Sequence, residues 1–277
     1  MAALVVWLAG AAPARASYPP EVDAGFRLLY ELKFTEARAQ FAAWEEAHPE
    51  DPLGSAAKAA SYLFEEFYAQ GVLTSEFFLD NKRFLGGITG KPDDMRRAAF
   101  MAANRRAQHL AQARLKASAK DADALIALTI SLGMQADYLS IIEKKQLEGL
   151  RFVKEAEARA KDLLALDSNA GDAYLAIGAA NYIIGSLPGY KRFFLWFGGI
   201  HGDKAGGMQQ LQAAAMRGHY LRPYAKMLLA LAALREKQAD LARSLLIELT
   251  AEFPQNPLFT RELSKLPRPE RAIASSP

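Results

Sequence analysis

The chain has 277 residues, 51% of them apolar, which is enough for one large helical array or two small domains around a continuous core. It contains no cysteine, and that excludes disulfides, thiolate metal sites, cysteine nucleophiles and a lipid-modified N-terminal cysteine. Its net charge of +3 comes from interspersed acids and bases, a pattern that sets up no field favouring nucleic acid.

The first segment reads as a targeting signal. Ala2 to Ala12 is an apolar run that includes Leu4-Val5-Val6-Trp7-Leu8, and Ala14-Arg15-Ala16 offers the small-x-small site that signal peptidase reads. A signal peptide over 1–16 with cleavage after Ala16 is expected, leaving Ser17 first and directing the protein to the periplasm or the exterior. The run is too short for a permanent span, which needs about 20 apolar residues. No Lys or Arg precedes Arg15, and the competing reading is an alanine-rich first helix.

Residues 17–266 are expected to form one domain of helices. The first pair runs from about Glu21 to His48 and turns at Lys33-Phe34-Thr35-Glu36, with Thr35 as N-cap. Asp51-Pro52 opens a third helix to Gln70. A short helix over Ser75 to Phe84 precedes a loop marked by Gly86-Gly87, Gly90 and Pro92. Pro92-Asp93-Asp94 starts a long helix to Lys116, whose acidic start and basic end suit the macrodipole. The arginines Arg96, Arg97, Arg105, Arg106 and Arg114 point all around this helix, so they make no phosphate-tracking stripe. Asp121 begins the next helix, which ends near Gly133 to Asp137, and Glu143 to Leu166 is its partner. Gly171 to Gly185 comes after the turn Asp167-Ser168-Asn169. After an irregular insert from Ser186 to Gly202 come Asp203 to Arg217, Leu221 to Glu236, Ala239 to Glu252 and a capping helix from Pro257 to Ser264. The tail 267–277, rich in Pro, Ser and charge, is expected to be disordered.

Two stretches repeat one pattern. Ala37-Arg38, Phe41 and Trp44 lead to His48-Pro49-Glu50-Asp51-Pro52-Leu53, and Ala242-Arg243, Leu246 and Leu249 lead to Phe253-Pro254-Gln255-Asn256-Pro257-Leu258. A small residue at a tight crossing, an apolar face at helical spacing and a Pro at the exit resemble the tetratricopeptide repeat. The resemblance implies an all-α, right-handed superhelical solenoid of helix hairpins that works as a binding scaffold. Its concave face would carry Phe26, Leu29 and Tyr30, then Leu63 and Phe64, then Tyr182 and Ile183, then Tyr224, Met227 and Leu231. So apolar a groove needs an occupant: a partner segment, a second copy or the chain's own insert.

That insert runs Leu187-Pro188-Gly189-Tyr190-Lys191-Arg192-Phe193-Phe194-Leu195-Trp196-Phe197-Gly198-Gly199-Ile200-His201-Gly202-Asp203-Lys204 and continues through Gly206-Gly207 to Leu211. A Leu-Pro, an apolar stretch, an aromatic-Gly pair and Gly-Asp-Lys resemble the tetratricopeptide repeat protein 39 family, which is related to a fungal inclusion-body clearance protein of the mitochondrial outer membrane. That likeness implies a helical-repeat protein at a membrane surface, without catalytic residues. The residues themselves leave three readings open. Five consecutive apolar residues have no amphipathic period and favour burial. Lys191 and Arg192 beside Trp196 and Phe197 suit lipid headgroups. The glycines before Lys204 could cradle an anion at a helix start, although Asp203 would repel it and suits an N-cap better.

Catalytic patterns are poor. His48, His109, His201 and His219 lie far apart and have no ligand at metal spacing. Gly185-Ser186-Leu187-Pro188-Gly189 lacks the glycine of a nucleophile elbow, and Gly87-Ile88-Thr89-Gly90-Lys91-Pro92 has Pro where a P-loop has Ser or Thr. The adjacent pairs Glu45-Glu46, Glu65-Glu66 and Asp93-Asp94 point about 100° apart. No catalytic, metal or cofactor site is therefore expected. The function expected is an exported, non-catalytic scaffold for a protein or peptide, with Phe26, Tyr30, Phe64, Tyr182, Lys191, Arg192, Trp196, Phe197 and Tyr224 as contact residues. The alternatives are a membrane-peripheral, lipid-associated protein using 187–200, or an enzyme with a carboxylate site, such as one built on Glu66, in the groove.

Overall fold

Small residues and capping carboxylates decide where the helices start and how closely they cross. The computed structural model describes residues 16–189 and 201–267, and among these there are helices and no strand. Helix α1 (Pro20–Tyr30) opens on a proline, and α2 is Phe34–Ala47. Helix α3 (Pro52–Ala69) is capped by Asp51, which accepts from the Leu53 N–H. Two short helices come next, α4 (Ser75–Leu79) and α5 (Asn81–Gly86). Asp93 caps α6 (Asp94–Ala117) and Asp121 caps α7 (Ala122–Asp137). A π-helical turn over Tyr138–Ile142 extends α7 before α8 (Gln146–Leu166) and α9 (Ala173–Gly185). The remaining helices are α10 (Lys204–Arg217), α11 (Arg222–Arg235), α12 (Ala239–Glu252) and α13 (Pro257–Ser264).

Three boundaries differ from the sequence reading. Thr35 is not the cap of α2: the helix starts at Phe34, and the Thr35 hydroxyl accepts from Arg38. Ser75 to Phe84 is two helices, because the Asp80 carboxylate accepts from the N–H groups of Lys82 and Arg83 and so begins a new one. Helix α8 begins at Gln146 and not at Glu143, since Lys144 takes a left-handed backbone (φ 59°) that no helix can continue through.

The helices pack as pairs, α1 on α2, α3 on α6, α7 on α8, α9 on α10 and α11 on α12. First helices also stack on first helices, α1 on α3, α3 on α7 and α7 on α9. Ala37 and Ala242 are both 0% exposed at their crossings, as the repeated pattern requires. Helices α9 and α10 approach each other backbone to backbone. A Cβ on Gly178 would lie 2.7 Å from the Leu211 nitrogen, and one on Gly207 would lie 2.4 Å from the Tyr182 nitrogen, so both positions demand glycine. The two helices that flank the insert are thereby clamped together. Helix α7 with its π turn is long and apolar enough to cross a membrane, yet most of it is buried among its neighbours, as befits a core helix.

The two ends of the array meet. Phe26 stacks on Tyr220 and packs edge-on against Phe41, while Tyr30 packs against Phe253 and edge-on against Phe64. The Tyr30 hydroxyl donates to the Tyr220 carbonyl, and the Asn256 amide donates to the Tyr30 carbonyl at 2.7 Å. Further along, Glu262 accepts from the Ser75 N–H, Lys265 pairs with Glu76, and Arg235 donates to Phe78 and Asn81. Residues expected on an open concave face are therefore interior: Phe26, Leu29, Tyr30, Phe64, Tyr182, Met227 and Leu231 are all buried. Apolar surface that an open array would leave wet is covered by the array's own far end.

Asn256 holds this seam from both sides, since its side-chain oxygen also caps α13 through the Leu258 N–H. Asn256→Ala should remove a cap and orphan a buried carbonyl, costing about 2–4 kcal/mol and lowering the thermal midpoint. An unchanged melting curve would mean that the ends are not joined through this residue.

Candidate functional site

Joining the ends leaves a space at the centre. It measures about 690 Å³ and is lined by α3, α4, α5, α7, the π turn, α8, α9 and α11, with Leu211 from α10. The lining is overwhelmingly aliphatic and aromatic: Leu63, Phe64, Phe77, Ile130, Met134 and Leu228 are typical. A core void costs roughly 24 cal/mol per Å³, so a dry space of this size would cost on the order of 10 kcal/mol, comparable to a domain's whole stability. Packing alone does not account for it. The space opens to solvent where Leu147, 81% exposed, and Ile183, 38% exposed, join the lining.

One carboxyl faces this space without support. Asp137 ends α7, is half-buried and is one of the residues that line the cavity. Burial alone acts on it, pushing its pKa from 3.8 up to about 7, and among the described residues no hydrogen bond or opposite charge compensates. Its negative charge reaches the Tyr224 phenol on α11, which burial first and Asp137 second hold well above the usual tyrosine range. The π turn after Asp137 is a defined piece of geometry. The Ile141 carbonyl, freed from the α register, accepts from the Ile88 N–H at 2.9 Å, and Gly87 (φ 82°) lets that loop approach closely. Ser140 and Gln146 complete the polar part of the wall near this turn.

A second carboxylate in the lining is already engaged. Asp172 accepts from the N–H groups of His219, Tyr220 and Leu221 at 2.8, 3.1 and 3.0 Å, fixing the turn that carries α11. Burial raises its pKa while those three bonds pull it down. The Tyr182 hydroxyl points away to Glu236, and burial pushes its pKa up to about 12.

Of the residues expected to make contacts, Phe64, Tyr182 and Tyr224 line the cavity. Tyr30 lies beside it in the seam and Phe26 deeper in the seam, so neither faces an open groove. Lys191, Arg192, Trp196 and Phe197 lie outside the described residues. The Glu66 carboxylate, 1% exposed, is bound by Arg96 and Gln70, and Arg96 together with Arg38 also pairs with Glu65. The helix of arginines is tied down in the same way, Arg97 to Glu143 and Arg114 to Asp121. Among the described residues no three His, Asp or Glu side chains cluster as for a metal ion.

Asp137 was legible only as the end of a helix. An acid in the last turn of an otherwise apolar helix, where the macrodipole disfavours negative charge, was the available signal. Comparison with protein-family models, with curated proteins and with solved structures finds no match in any of the three.

The raised pKa fixes a sign. An acid that binds its proton more tightly when folded opposes folding as it ionises. Stability should therefore fall as pH rises from about 4 to about 7, by up to about 4 kcal/mol, and level off above. Asp137→Asn should flatten that window, so its advantage in urea denaturation is greatest above pH 7 and vanishes near pH 4.

Proposed function

We propose that this chain is an exported binding protein of tetratricopeptide-like helix hairpins that holds an apolar small molecule inside the ring formed by its joined ends. The observation that carries the reading is the 690 Å³ apolar space, which falls within the 300–1,000 Å³ typical of small-molecule pockets and opens between exposed aliphatic side chains. The hairpin reading is supported by spacing. Gly25, Ala37, Phe41 and Pro49 keep the small–small–aromatic–Pro order of the repeat, and Ala230, Ala242, Leu246 and Pro254 keep it again with Leu246 in the aromatic place. The likeness of the insert to the tetratricopeptide repeat protein 39 family, which implies work at a membrane surface, is in keeping with an apolar cargo. A scaffold for a partner segment is the lesser reading, because the aromatic residues that would line its groove are engaged in joining the ends.

Nile red, a neutral apolar dye, should bind the purified mature chain one to one with blue-shifted emission. Ala176→Phe and Ala179→Phe, which project bulk into the space, should weaken binding by at least about tenfold, about 1.4 kcal/mol, without loss of helical signal. Absence of saturable binding would remove the carrier reading.

Export rests on the Ala14-Arg15-Ala16 site and on the contacts of the residues just beyond it. The Ser17 nitrogen lies 2.6 Å from the Asp123 carboxylate, and Tyr18 packs on His219 and Tyr220. Cleavage after Ala16 would put an ammonium group at that carboxylate and so turn a hydrogen bond into an ion pair. N-terminal sequencing of envelope material should begin at Ser17; intact Met1 recovered from the cytosol would remove the localisation.

A further inference from the structure

We propose that the ligand is an aliphatic amine, its chain in the apolar space and its ammonium group held by Asp137. The inference rests on the carrier reading and goes further, because it names the head group. Among the described residues the lining contains no Lys, Arg or His, so a fatty acid would bring its carboxylate to a wall without a counter-charge and with Asp137 already there. A neutral lipid would leave Asp137 as it stands, a carboxyl on an apolar wall with no partner among the described residues. An ammonium group supplies what the site lacks, an opposite charge and N–H donors in a low-dielectric setting where a charge-assisted bond is strongest. The Tyr224 phenol, already within the field of Asp137, offers an oxygen to the remaining N–H groups. The exposed Leu147 and Ile183 at the mouth suit a chain that enters with its apolar end in contact.

Titratable groups share the cavity with Asp137: Tyr224 of α11, Tyr182 of α9, and Asp172 at the start of α9. Helices α3 and α8 add no charged side chain to the lining. Both phenols stay protonated through the neutral range and Asp172 is held by three N–H groups, so Asp137 governs the charge of the site.

The test is displacement of Nile red from the mature chain at about pH 8 by dodecylamine, dodecanol and dodecanoic acid, each below its micelle concentration. Dodecylamine should displace the dye at least about tenfold more tightly than dodecanol, with the acid weakest, and its lead should shrink as pH falls below about 7 and Asp137 takes up its proton. Asp137→Asn should abolish the lead of the amine over dodecanol. Equal affinity for amine and alcohol, a lead for the acid, or an Asp137→Asn variant that weakens both ligands alike would overturn the amine assignment while the carrier reading stands. Failure of the dye to bind, or of dodecanol to displace it, would instead overturn the carrier reading on which the inference rests.

Discussion

Everything in this molecule depends on the seam where the first helices meet the last. An array of helix pairs has an inner face that is apolar along its whole length, and water penalises that face in proportion to its area. Here Phe26 and Tyr30 of α1, Tyr220 before α11 and Phe253 after α12 interlock, with hydrogen bonds from Tyr30 and Asn256 satisfying carbonyls that the seam would otherwise bury alone. Once the ends are joined, the inner face is no longer a groove. It becomes the wall of a chamber.

The chamber explains why side chains of the same chemical type have different fates. Phe26 lies where the ends touch, and it is core. Phe64 bridges seam and chamber, edge-on to both Tyr30 and Tyr224. Glu66 and Asp172 are buried carboxylates whose charge is met by Arg96 in one case and by three backbone N–H groups in the other. Asp137 has the same chemistry and none of that provision. Burying an ionisable group without a partner costs stability that hydrophobic packing must offset. Its place is on the cavity wall, next to a π turn that packs against the Gly87 loop.

Much of the local structure could be read from residue order. Asp51, Asp93, Asp121 and Asn256 announce their helices because a short carboxylate or amide side chain accepts from the N–H groups at a helix start whatever the fold around it. Ala37 and Ala242, small residues at helical spacing, announce positions that are fully buried where helices pack. The boundaries that fall elsewhere have local causes of other kinds: α2 starts at Phe34 without a side-chain cap, Asp80 begins a second short helix, and the left-handed Lys144 delays α8 to Gln146.

The sequence by itself determined a set of helices, some of their pairings and a run of apolar inner positions, since caps, helical spacing and small residues at crossings act within a few residues of one another; the packing of α3 on α6 across two intervening helices was not among them. Only the tertiary structure decided that the face closes. Whether Tyr30 meets solvent, a partner or Tyr220 turns on which residues far apart in the chain are brought together, here 190 positions apart, and no single stretch encodes that. The same tertiary packing turned Asp137 from the end of a helix into a carboxyl that, among the described residues, has no partner on the wall of an apolar chamber, because a side chain's electrostatic meaning is set by what faces it and not by its neighbours in the chain.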